Sequence, residues 1–167
     1  MRHSVVSNLP KRVWPYSLSP KRRTLIIHII SSLLILLFSY ASFSKLVDIK
    51  MFTRQMNNQP FPNWMPPYLV WGIPTIEILI VAALLFDKTR KIALWASFLL
   101  MSAFTVYVSM AVFKVFNRIP CSCGGVLSKM GWTEHFYFNI FFTLISLWGI
   151  YLIHKHSREE NEALKFG

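Results

Sequence analysis

The stretch TLIIHIISSLLILLFSYASFS, Thr24 to Ser44, contains no formally charged side chain. As a helix rising 1.5 Å per residue it reaches about 31 Å, the thickness of a bilayer's hydrocarbon core. Three further runs follow: Tyr68 to Phe86 with Glu77 as its only charge, Ile92 to Phe113 with none, and Phe136 to Ile153 with none. A surface helix of a water-soluble domain carries a polar stripe, which these runs lack. The expected fold is all-α, a four-transmembrane-helix bundle with helices over about 24–46, 68–86, 92–113 and 135–153. They form one membrane domain, 24–154, between a basic leader (1–23) and a short tail (155–167). Ser39-Tyr40-Ala41 has the form of a small-x-small cleavage site, but the apolar run continues past it behind a long leader, so the first helix is expected to be retained.

The composition of the 167 residues agrees: 54% are hydrophobic and 15% charged, where a soluble domain carries about 25%. Disorder and a pair of large domains are excluded. A net charge of +11 raises the question of nucleic acid, which would require the cations to gather on one soluble face. Here they punctuate the apolar runs instead. The leader, the 87–91 loop and the tail hold twelve Lys and Arg, and the two remaining loops hold six. The excess marks the cytoplasmic side, so both termini are expected inside. Trp64, Tyr68 and Trp71 on the outer side, with Trp148 and Tyr151 on the inner, fit an interfacial aromatic belt.

Prolines punctuate the connections. Pro10, Pro15 and Pro20 are expected to break any helix in the leader, and Pro60, Pro62, Pro66 and Pro67 to hold off the second span until Tyr68. Between Asp48 and Met56, apolar Ile49, Met51, Phe52 and Met56 alternate with polar groups, as in a short helix lying along the headgroups.

The strongest candidates for chemistry are the only two cysteines, Cys121 and Cys123, in Pro-Cys-Ser-Cys-Gly-Gly (120–125). The topology puts them outside the cytoplasm, where a disulfide persists. In an extended chain their Cα atoms stand about 6.6 Å apart, near the limit for a bridge, so a turn at Pro120 and Gly124-Gly125 must draw them together. A small strained bridge is the exchange-active kind. An inert staple, a metal site with His135 as third ligand, and two free thiols stay open beside this reading. His135 stands where it would accept a thiol proton and raise the reactive thiolate fraction. Thr133 is the expected helix N-cap, and Glu134 complements the helix N-terminus.

Glu77 lies near the bilayer centre, where an acid is costly and faces the bundle interior. Pro74, three residues earlier, removes a backbone hydrogen bond and frees the Val70 carbonyl. Ser39, Tyr40 and Tyr107 are candidate partners for the acid. Lys45 has three options: to snorkel outward, to pair with Asp48, or to reach inward to Glu77. His28 reads as an interfacial or packing residue.

Three stretches together resemble the DoxX-like membrane proteins of the MauE type, associated with methylamine utilisation. Phe43-Ser44-Lys45-Leu46-Val47-Asp48, followed by Phe52, is similar to the family's Gly-x-x-Lys-Leu-x-Asp, with Ser42 where glycine is common. Ile73-Pro74-Thr75-Ile76-Glu77 is similar to its Pro-x-x-Glu, and Cys121-Ser122-Cys123-Gly124-Gly125 to its Cys-x-Cys-phenylalanine-Gly, with Gly124 replacing the aromatic. The resemblance implies a multi-pass protein of the bacterial cytoplasmic membrane. Such a protein would support disulfide formation during maturation of methylamine dehydrogenase, beside a periplasmic thioredoxin-like partner. It implies Cys121 and Cys123 as the redox pair and Lys45, Asp48 and Glu77 as polar membrane residues. A membrane quinone is the candidate electron acceptor. A non-catalytic assembly or anchoring factor is the alternative, and a small-solute transporter built on Glu77 and Pro74 a more distant one.

Overall fold

The computed structural model describes residues 19–115 and 131–166. These form five helices: α1 (Pro20–Val47), α2 (Ile49–Asn57), α3 (Met65–Leu85), α4 (Asp87–Val112) and α5 (Trp132–Phe166). Among the described residues there is no strand. All but α2 are long and apolar enough to cross a membrane, over Lys21–Val47, Met65–Leu85, Asp87–Val112 and Thr133–Glu159. The all-α bundle of four spans is therefore as expected.

These spans hide little of their own surface. Leu36, Phe43, Tyr68 and Ile92 are each more than 60% exposed although strongly or partly apolar. A soluble bundle would pay heavily for such a surface, whereas lipid tails solvate it without cost. The spans close a ring in which α1 and α4 each pack on both α3 and α5. The core runs through Leu34 and Phe38 of α1, Ile80 and Leu84 of α3, Leu94 and Met101 of α4, and Ile150 and Leu152 of α5. Ser97 and Ser146 sit fully buried beside it, each returning its hydroxyl to its own helix, on the Ala93 and Phe142 carbonyls at 2.8 Å. Thr105 and Thr143 bridge α4 and α5 at 3.0 Å.

Gly149 of α5 marks a three-helix contact. A Cβ there would lie 3.1 Å from Ile30 Cγ2 of α1 and 3.2 Å from Leu94 Cδ2 of α4. Alanine meets only movable methyl ends and gains helix propensity, but a β-branched side chain overpacks the site. Gly149→Val is expected to cost about 1–3 kcal/mol, read as a lowered thermal midpoint of helical circular dichroism in detergent, with Gly149→Ala close to the parent.

Helix ends depart from the expected bounds for local reasons. Pro20 occupies the first turn of α1, where its missing N–H is no loss, rather than breaking it. Pro66 and Pro67 do the same in α3, which starts at Met65 instead of Tyr68. Only Phe86, extended at φ −102° and ψ 130°, separates α3 from α4, and the Thr89 hydroxyl turns back to the Ala83 carbonyl at 2.6 Å. The 87–91 segment is thus the first turn of α4, not a loop. The last span continues to Phe166, so the described part of the tail is helical. Arg23, 1% exposed, meets Glu159 at 2.6 Å and ties the start of α1 to that extension.

The end of the bundle where α1 and α4 finish and α3 and α5 begin is the upper end below. There α4 stops in a Schellman turn: the Val115 N–H reaches the Met110 carbonyl at 2.9 Å and the Lys114 N–H the Ala111 carbonyl at 3.2 Å. Lys114 takes the left-handed conformation that glycine usually fills, at φ 54°. Pro10, Pro15, Cys121 and Cys123 lie outside the described residues.

Candidate functional site

Lys45 stands two residues before the end of α1, and helical side chains tilt toward their own N-terminus, so it points down into the bundle. Its Nζ donates to the Ala41 carbonyl at 3.2 Å and to Glu77 Oε1 at 2.7 Å. Of the three options open to this lysine, the structure takes the inward one. Glu77 is 1% exposed and Lys45 9%. The acid's partner is therefore neither Ser39 nor Tyr40, which are exposed, nor Tyr107. Its second oxygen, Oε2, has no hydrogen-bond partner among the described residues, and neither does Asn139 Nδ2, also buried.

Asp48 does different work. Its carboxylate accepts the Met51 N–H at 2.9 Å and caps α2, turning the chain sharply out of α1. The short helix expected between Asp48 and Met56 is this α2. It lays Phe52 and Met56 against Val70 of α3, and the Phe52 ring stands 6.0 Å from Lys45 Nζ, covering the ion pair from above. On the α2 side of Lys45, a cavity lined by Ser44, Lys45, Asp48, Met51, Phe52 and Gln55 measures about 20 Å³. That admits roughly one water. That space does not fit a quinone ring.

The upper end also holds Gln59, which no sequence pattern announces. Gln59, 3% exposed, donates from Nε2 to the Gln55 carbonyl at 3.1 Å and accepts the Tyr107 hydroxyl, on whose ring Phe61 packs at 5.5 Å. The connection between α2 and α3 is thereby pinned to α4. His135, in the first turn of α5, is half-buried and within Coulombic reach of Lys45. Gly131, not Thr133, takes the cap position of α5: its carbonyl accepts the His135 N–H at 3.0 Å, and Glu134 Oε2 accepts the Gly131 N–H at 3.0 Å. Glu134 therefore has the structural role expected of it. His28 is exposed on the outer face of α1.

Each span thus contributes a polar side chain between the middle of the bundle and its upper end: Lys45, Glu77, Tyr107 and His135, with Gln59 from the connection. The sequence model of one family, described as methylamine utilisation protein MauE, matches residues 23–152, most of the chain and all four spans. The chain belongs to the MauE family. No curated protein and no solved structure matches it. Family and spans together make it a multi-pass membrane protein in contact with the lipid bilayer.

Proposed function

We propose that this MauE-family protein supports thiol–disulfide exchange on the extracytoplasmic face of the bacterial cytoplasmic membrane. Cys121 and Cys123 are the exchanging pair, and His135 accepts the thiol proton. What supports the reading most directly is connectivity. The cysteine-bearing segment joins Val115, at the upper end of α4, to Gly131, at the upper end of α5, so both sulfurs are tethered to the end that carries His135 and the Lys45–Glu77 pair. The distribution of Lys and Arg favours that end as the outer one, with both termini inside.

In the exchange a thiolate of the partner attacks one sulfur of the 121–123 bridge, giving a mixed disulfide and one free thiolate on this chain. The partner's second thiol then displaces that bond. The partner gains a disulfide, losing two electrons and two protons, and both appear on this chain as two cysteine thiols. The partner is a thioredoxin-like protein or a maturing redox enzyme, such as the methylamine dehydrogenase that the resemblance implies. Trapping in intact cells tests this. A membrane-impermeant thiol reagent is expected to label Cys121 and Cys123 only after a reductant is added from outside. Labelling confined to lysed cells, or labelling without reductant that no partner modulates, overturns the reading.

A further inference from the structure

We propose that the groove between α2 and α3 is a binding site for an anionic phospholipid. Ile49, Lys50, Thr53 and Arg54 of α2 and Trp71 of α3 line an open cavity of about 590 Å³, within the usual size of a small-molecule site, roughly 300–1,000 Å³. Lys50 and Arg54 stand four residues apart on one face of α2, both exposed, and neither pairs with a carboxylate among the described residues. The nearby acids are committed elsewhere: Asp48 caps α2, and Glu77 is buried against Lys45. Two cations one helical turn apart, neither held in an ion pair, match a phosphodiester.

The apolar half of the site selects a lipid over a soluble anion. Trp71 is 63% exposed on a membrane-spanning helix, at the level where indoles sit among headgroups. Below it, Thr75 and Ile78 continue the same exposed face of α3. A phosphate held by Lys50 and Arg54 places its first acyl carbons on Trp71 and its chain down that face. The bound lipid braces α2, the helix whose Phe52 covers the Lys45–Glu77 pair. Nothing in this site depends on the cysteines.

Native mass spectrometry of the full chain in micelles holding equal phosphatidylglycerol and phosphatidylcholine tests the site. Phosphatidylglycerol is expected to be retained preferentially. Lys50→Gln with Arg54→Gln is expected to weaken it about 25-fold, about fivefold per cation, with helical content unchanged. Trp71→Ala weakens both lipids. Lys88→Gln with Lys91→Gln, removing the same charge at the lower end of the bundle, leaves retention unaltered. Equal retention of the two lipids, or an equal loss in the Lys88/Lys91 variant, overturns the proposal. So does displacement of the phosphatidylglycerol by millimolar inorganic phosphate, which would mark a free-anion site, or by a soluble polyglutamate peptide, which would mark a protein-docking site.

Discussion

Glu77→Ala is expected to destabilise the bundle by about 3–5 kcal/mol, because it leaves the Lys45 ammonium buried without its counter-charge. Lys45→Met is expected to cost a similar amount by stranding the carboxylate, which is 1% exposed and forms an ion pair with no other cation among the described residues. The double variant, Lys45→Met with Glu77→Leu, removes both charges and fills the space with apolar side chains. It is expected to recover most of the loss, since well-packed apolar replacements of a buried pair are often neutral or stabilising. The shortfall from additivity, measured by thermal unfolding in detergent, is the coupling of the pair. Additive losses would mean that the 2.7 Å contact carries no energy. The double variant also separates two roles. If it folds and still supports exchange, the pair is structural; if it folds and does not, the ionic character itself is needed at the upper end.

The spans were legible because their signal is redundant: twenty or so consecutive apolar residues outweigh any single exception, Glu77 included. Their ends were less so. Pro20, Pro66 and Pro67 read as breakers, yet a proline in the first helical turn loses no hydrogen bond, and sequence does not say which proline will find itself there. Lys45, Asp48 and Glu77 were visible as candidates, but their pairing was not. Asp48 is closer to Lys45 along the chain and would have been the local choice. The cap that α2 requires takes Asp48 away, and the downward tilt of the lysine delivers it to α3. Gln59 gave no signal at all. It sits in a polar, proline-rich connection that reads as solvated, and only the fold of α2 back onto α3 buries it.

Cys121→Ser and Cys123→Ser are each expected to abolish oxidation of the partner, since a lone thiol cannot hold the bridge that is exchanged. The two variants are not equivalent. The one that keeps the attacked sulfur, met by a partner already carrying a disulfide, has no second thiol of its own to carry the mixed bond forward, so that the bond, reversed only by the partner's released thiol, accumulates as a reductant-sensitive adduct on a gel. His135→Phe is expected to leave the bridge intact but to slow exchange about tenfold at neutral pH, where a thiol depends on a nearby base for its thiolate fraction. Because a free cysteine ionises unaided above about pH 8.5, the variant and the parent are expected to converge in alkaline solution. A merely structural histidine would give a loss that does not depend on pH. Undiminished partner maturation with serine at both positions would leave the four spans as an anchor and move the search for chemistry to the buried polar groups at the upper end.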